Sequence, residues 1–402
     1  MKEKIITVIG DIMGEYPVMA QAQKEDGTFD FLPTFAPLKS LFDEADYGIG
    51  NLETVMAGEE AGYTKNIYSF NTPDAICTAL KSIGLDAVTT ANNHIFDRGM
   101  DGLRRSCRVL DAAGLAHTGT YDDIPEDKNL YFTLGDTTVA LLSYTTSCNY
   151  GSNKQYDPAG LYEHANFLKP YNGCSTRESE SPIVNRTFRL VERIAGRKLE
   201  FEEKAELRKS MGQPVAYADH LYDSAAQLPF LERLREDYAK ARAKADIVII
   251  CPHSGGQFNT ETGRASRWLY ERISEMGFDA ILSAHSHTTQ RAEKYGNTVV
   301  FQSLGNVTMS PHTGYSVPES LPQYGMAAHL YVGEKKLQRI AFSLFKMVEP
   351  EGGRLQTVPV DELYASLPEC LEKAQLLTET AQVFERISGR RFERIEREWP
   401  LF

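Results

Sequence analysis

No run of about 18 apolar residues, the length a helix needs to cross a bilayer, occurs anywhere in the 402-residue chain. Met1-Lys2-Glu3-Lys4 leads straight into a predicted strand, with no apolar signal-peptide core and no small-residue cleavage site. Cysteine is sparse: the six residues at 77, 107, 148, 174, 251 and 370 show neither close pairing nor zinc-finger spacing, as expected of reduced thiols. No long basic patch is present, and 43 Lys plus Arg against 55 Asp plus Glu leave a formal charge of -12, which repels nucleic acid and anionic lipid. These absences argue against a spanning helix, a disulfide-stapled scaffold and a nucleic-acid module. The expectation is a soluble, cytoplasmic protein with no nucleic-acid or membrane partner.

What is present is one device used repeatedly. Short apolar, β-branched runs at Ile5 to Ile9, Tyr47 to Ile49, Ala87 to Thr90, Ile247 to Ile250, Ala280 to Leu282 and Val299 to Phe301 read as buried strands. Each is followed by a polar cluster: Gly10-Asp11, Asn51-Leu52-Glu53, Asn92-Asn93-His94, Cys251-Pro252-His253, His285-Ser286-His287 and Ser303-Leu304-Gly305-Asn306. In open α/β sheets, ligands bind beyond the carboxyl ends of the strands. Distant segments would therefore converge on one crevice that holds a metal ion or a phosphate.

The intervening helical patterns, such as Pro37 to Asp43 and Pro73 to Ile83, make this βα architecture. Gly84-Leu85-Asp86-Ala87 and Gly277-Phe278-Asp279-Ala280 repeat a helix stop followed at once by a strand, which predicts two halves of one sheet, the strand Thr137 to Tyr144 closing the first. The chain divides into a first core half (1–148), a partly helical insertion near the site (149–244), a second core half (245–347) and a helical C-terminal extension (348–402). Leu190 to Glu200 resembles Val383 to Glu393. Two amphipathic helices, each stopped by glycine with cations near the negative dipole end, account for this without an anion-binding role.

His285-x-His287 offers two splayed imidazoles, and His94 and His253 also follow strands. With the carboxylates of Asp11 and Glu53, this mixed donor set suits Mn, Fe or Zn. A carboxylate bridging two ions would offset their repulsion, and the pair would make hydroxide available near neutral pH. Asn93 adds a neutral amide oxygen, and an unligated His94 could protonate a leaving oxygen. Asp97 either orients His94 or caps the helix that follows. Asn92, Ser254, Gly255, Ser303 and Asn306 are the candidates for substrate contact: the small residues after His253 let backbone approach a ligand, and Ser303 to Asn306 either face an oxyanion or merely turn the chain.

The segments GDIMG at 10, GNLET at 50, ANNHIFDRG at 91, PHSGGQF at 252, SAHSHTTQ at 283 and SLGN at 303 together resemble the bacterial poly-γ-glutamate capsule-synthesis (CapA-type) family, a branch of the calcineurin-like metallophosphoesterase superfamily. The resemblance covers roughly residues 4 to 145 and 245 to 310. It implies an α/β fold, a four-layer α/β/β/α sandwich around a dinuclear site. It also implies Asp11 and His287 on one metal, Asn93, His253 and His285 on the other, Glu53 bridging, and His94 as proton donor. The superfamily's first motif usually has a histidine where this chain has Met13, and Glu53 replaces the usual bridging aspartate. Ser254, Gln257, Ser286 and Val307 depart from the capsule branch, which puts substrate contacts in question. The expected activity is metal-dependent hydrolysis of a phosphoester in a small-molecule or polyanionic substrate. The alternatives are a non-catalytic accessory of capsule assembly and a γ-glutamyl amide hydrolase.

Overall fold

In the computed structural model, which describes residues 3–402 apart from 66–68, 172–181, 198, 200–202, 205–206, 208–209, 212–223, 314–315 and 351–352, the first apolar run becomes β1 (Lys4–Met13). β1 runs parallel to β2 (Tyr47–Glu53), and β3 (Ala87–Thr89) and β4 (Ala116–Thr118) continue the parallel order. On its other edge β1 is antiparallel to β11 (Tyr324–Gly333), followed by β12 (Lys336–Val348) and β13 (Gln356–Pro359), with β14 (Trp399–Pro400) also on β12. This is an eight-stranded sheet. A second, six-stranded sheet has the order β5 (Leu130–Leu134), β6 (Thr137–Thr145), β7 (Ile247–His253), β8 (Ala280–Leu282), β10 (Thr298–Phe301), β9 (Ala292–Tyr295).

Side-chain alternation makes the four layers. On β6, Val139 and Leu141 point to the core between the sheets, where they join Ile6, Val8 and Ile49 from the larger sheet. Ala140, Leu142 and Tyr144 point the other way, against Leu231, Leu234 and Ala241 of the helix Ser224–Lys244 and Leu269 and Ile273 of the helix Arg264–Met276. Ile9, Ile12 and Val88 likewise cover the outer face of the larger sheet with Val18, Phe35 and Leu80. Strands buried on both faces carry continuous apolar runs, which is why these runs were prominent in the sequence. The result is the α/β/β/α sandwich.

The two halves do not form one sheet, contrary to the reading of the repeated glycine device. β6 is apolar on both faces and so takes a central place, with β5 on one edge and β7 in parallel register on the other, from Val139↔Ile247 to Thr145↔His253. Thr137 to Thr145 therefore belongs to the second sheet, next to its edge strand β5. The device itself is reproduced closely: Gly84 and Gly277 sit at φ 107° and 100°, Asp86 Oδ2 accepts Gly48 N at 2.8 Å and Asp279 Oδ2 accepts Val248 N at 2.8 Å. Each aspartate thus ties the start of a strand to its neighbour.

The first of the two repeated segments lies on the helix Pro182–Ala195, ended by Gly196 at φ 66°. The related helix Leu371–Ser388 ends at Gly389 with φ 64°. Glu192 Oε1 accepts Leu199 N (3.3 Å) and Glu385 Oε1 accepts Phe392 N (3.2 Å), so the internal repeat is one helix-stop device used twice; Lys198 and Glu200 lie outside the described residues. The C-terminal segment is helical over Val360–Ser366 and Leu371–Ser388 but also adds β13 and β14 to the larger sheet. Cys77, Cys107, Cys148, Cys251 and Cys370 are free thiols; Cys174 is outside the described residues. Among the described residues no helix is long and apolar enough to cross a membrane.

Candidate metal centre

Three of the six polar clusters lie on strand ends rather than beyond them, because parallel pairing carries the strands on: Asp11 pairs with Asn51, Met13 with Glu53, and Thr145 with His253. The β1–β2 register shifts between Ile9 and Asp11, at Gly10. A Cβ at Gly10 would lie 2.0 Å from Gly305 O. Only glycine allows the 303–306 loop of one sheet to rest on the strand of the other. That contact is sealed by Asp11 N to Gly305 O (2.9 Å) and Val307 N to Asp11 O (2.8 Å).

Asp11, Glu53, His253 and His287 are almost fully buried. Ligand atoms of Glu53, His253 and His285 form one group lying within 4.8 Å of one another, and those of Asp11, Glu53 and His287 form a second. Glu53 belongs to both. Its Oε1 is 3.5 Å from His253 Nε2, 3.8 Å from His287 Nε2 and 3.8 Å from His94 Nε2. Asn93 Oδ1 completes the first group at 2.6 Å from His253 Nε2 and 3.1 Å from His285 Nδ1, and those two nitrogens are themselves 3.1 Å apart.

Both carboxylate oxygens of Glu53 are buried without a hydrogen-bond partner. A buried carboxylate left so is costly, and a shared cation would remove the cost. The donor types, imidazole nitrogen with carboxylate and amide oxygen, fit a transition-metal site. The protein's own charges act in the same sense. Burial opposes ionisation of Asp11, but the His287 hydrogen bond and the nearby His253 outweigh it and hold the carboxyl far below its usual range. Burial also opposes protonation of His287, yet Glu53 and Asp11 push it up to about 9, whereas burial, His253 and His287 leave His285 well below its ordinary value.

His285 and His287 adopt φ 94° and 53°, left-handed backbone that is rare for non-glycine residues and concentrates at functional sites. His285 N donates to Asp11 Oδ2 at 3.0 Å, and His287 Nδ1 lies 2.8 Å from Asn306 Oδ1, whose amide donates to His287 O and Pro322 O. Tertiary hydrogen bonds therefore hold the strained turn.

His94 Nδ1 is 2.5 Å from Asp97 Oδ2 and its ring stacks on Phe70 at 4.1 Å. Burial lowers its proton affinity, but Asp97 and Glu53 reverse this, so the imidazole titrates above its ordinary value. Asp97 makes no side-chain cap to the helix Gly99–Ala113, whose N-cap is Arg98. The five residues read as substrate contacts lie beside the centre with most polar atoms engaged by protein. Asn92 donates to Leu52 O and accepts His94 N, Ser254 Oγ lies 3.3 Å from Tyr270 OH, Ser303 Oγ accepts Gly305 N, and Asn306 braces His287. Gly255 has φ 129° and is partly exposed. Met13 packs with Phe70, Phe258, Met309 and Val317, so the strand end that would otherwise carry a histidine offers an apolar wall.

Three further residues matter here that the sequence reading gave no role. Asn51 Nδ2 donates to Asp11 Oδ1 at 2.7 Å, buried Asn153 donates to Asp97 Oδ1 at 3.1 Å, and buried Glu15 accepts Ser310 N at 3.0 Å. Asn51 stood inside a flagged cluster; the other two carry no local signature.

A four-layer α/β sandwich whose strand ends gather carboxylate, amide and imidazole groups defines a metallophosphoesterase-like protein. More narrowly, the chain belongs to the family of bacterial capsule synthesis protein PGA_cap, whose family model matches residues 5–310. It is 24% identical over 286 residues to an uncharacterized protein of Sinorhizobium fredii, covering 68% of this chain and 61% of that one. It is 21% identical over 324 residues to the capsule biosynthesis protein CapA of Bacillus anthracis (79% of this chain, 63% of the relative). The PGA biosynthesis protein CapA of Bacillus subtilis matches at 21% over 322 residues (79% and 66%). The chain thus spans just under two thirds of the length of these relatives.

Proposed function

We propose that the chain is a metal-dependent hydrolase acting on a phosphoester. The single observation that carries this reading is the buried carboxylate of Glu53, without a hydrogen-bond partner and shared by two ligand groups. Asp11 and His287 would hold one divalent ion, Asn93, His253 and His285 a second, and Glu53 both; Mn, Fe or Zn suits the donor set. Two such ions supply Lewis acidity and a water that ionises near neutral pH. His94, with Nδ1 fixed by Asp97, presents Nε2 to the centre and protonates the leaving oxygen. Asn51, Asn92 and Asn306 hold Asp11, His94 and His287 in place.

Membership of a capsule-synthesis family supports a second reading of the same centre, in which the polymer itself is handled. The protein would then hydrolyse a γ-glutamyl amide, or bind polyglutamate or a synthase without turnover. The test is elemental analysis of purified protein together with phosphomonoester, phosphodiester and γ-glutamyl amide substrates. Stoichiometric metal, phosphoester turnover and a loss of about 10²–10⁴-fold in kcat for His94→Ala with metal retained are expected. Amide turnover alone would select the amidase, and bound metal with no turnover the accessory role. Full phosphoesterase activity in His94→Ala would remove the proposed acid.

A further inference from the structure

Asp97 has both carboxylate oxygens occupied although it is fully buried, and the donors come from three separate stretches of chain. Oδ2 takes His94 Nδ1 at 2.5 Å and the backbone N–H of Phe70 at 2.6 Å, and Oδ1 takes Asn153 Nδ2 at 3.1 Å. Asn153 is itself buried and lies in the segment that follows β6. We infer that Asn153 is a positioning residue for the His94–Asp97 pair, and that residues 149–156 brace the proton donor. This rests on the hydrolase reading above.

The brace is built tightly. Asn149, at φ 51°, starts a short turn in which Ser152 N donates to Asn149 O (2.9 Å), Asn153 N to Tyr150 O (3.0 Å) and Tyr156 N to Asn153 O (3.1 Å). The Asn153 amide also donates to Asn149 O at 3.2 Å, which fixes its plane. Tyr156 lies against Gly99, where a Cβ would come within 2.9 Å of the ring, and meets Phe96 edge-on with centroids 6.0 Å apart. The turn therefore grips the 94–99 loop at three points: Phe96, Asp97 and Gly99. Without the Asn153 donor, Oδ1 would be a buried acceptor with no partner, and the carboxylate would gain by rotating away from the imidazole. His94 would then lose its fixed orientation. A general acid matters most when the leaving group is a poor one, so the defect has a distinctive signature.

The experiment compares wild type with Asn153→Ala and Asn153→Asp over aryl and alkyl phosphoesters of graded leaving-group basicity, with metal content measured in each. Asn153→Asp keeps the shape and replaces the donor by a like charge. The expected result is unchanged KM and metal content, near-normal kcat on the most activated aryl ester, and a loss of about 10–100-fold on the alkyl ester. A second readout is independent of turnover: the hydrogen-bonded Nδ1 proton of His94, a downfield proton resonance, is lost or shifted in both variants. Equal slowing of all substrates with that resonance unmoved overturns the inference and leaves the hydrolase reading intact. A wild type that turns over no member of the series overturns both.

Discussion

Asp11 and Glu53 reach the centre from strand backbone held in register by β1 and β2, whereas His285 and His287 reach it from a turn at φ 94° and 53°. The larger sheet, with the segment just past β1, contributes buried carboxyl groups: Asp11, Glu15 and Glu53 are each at most 3% exposed. The smaller sheet contributes strained conformation, at about 1–3 kcal/mol for each such residue. One side of the site is thus costly electrostatically and the other conformationally. On the proposal above a cation answers both, since it neutralises the carboxylates and gives the imidazoles a reason to hold their turn. Metal binding and folding stability should then be strongly linked.

The sharpest way to break this comparison is Glu53→Gln, which removes the group common to both sides. Metal content is expected to fall to near zero, and the thermal midpoint, which drops on chelation in wild type, becomes insensitive to chelator. In chelator the variant gains from losing a buried carboxylate without hydrogen-bond partners but loses the attraction of Glu53 for His287, so its melting curve should lie close to that of wild type. Elemental analysis and melting curves with and without chelator check this. A variant that keeps its metal and its chelator response would show that Glu53 is not the shared group.

Gly10→Ala tests whether the two sides are one mechanical unit. The added Cβ, 2.0 Å from Gly305 O, must push the 303–306 loop off β1 and break the Asp11–Gly305 and Val307–Asp11 hydrogen bonds. A loss of about 3 kcal/mol or more is expected from denaturant midpoints. Gly135→Ala is the control, with φ 64° but open space around its Cβ, and costs about 1 kcal/mol through backbone strain alone. Equal losses in the two variants would mean that the sheets meet loosely at this point.

The same contrast explains what the sequence disclosed. The strands of both halves were legible because apolar runs report burial on two faces, and the candidate ligands Asp11, Glu53, Asn93, His253, His285 and His287 follow those runs directly. The assignment of β6 to a second sheet was not, since an apolar run does not say which neighbour it pairs with. The strain at His285 and His287 was invisible because it is imposed by Asp11 and Asn306, far away in sequence. Asn153 was missed because an asparagine in a loop has no periodic signature, and its partner lies 56 positions away. Glu15 sits four residues past Asp11 in GDIMGE, yet its burial depends on Ser310 and Thr313.

Glu15 gives the smallest and most specific test, of the electrostatic side alone. Burial pushes its carboxyl up to about 7 from an ordinary 4.5, although Ser310 N and Thr313 Oγ1 both donate to it. Its Oε1 has no partner. Because the folded-state value is the higher one, the folded protein binds the extra proton between about pH 4.5 and 7, so the contribution of Glu15 to stability is present below that window and is lost as pH rises through it. Between pH 5 and 7 the loss amounts to about 2 kcal/mol. Glu15→Gln removes the titration at nearly constant shape, so its stability should change less over that range, and its advantage over wild type should be greatest at pH 7 and above. Denaturant midpoints from pH 5 to 8 in chelator measure this, and adding divalent metal should shrink the difference by favouring the ionised carboxylate. Parallel pH curves for the two proteins would show that the buried charge of the larger sheet is already compensated within the protein, and the contrast between the two sides would then rest on backbone strain alone.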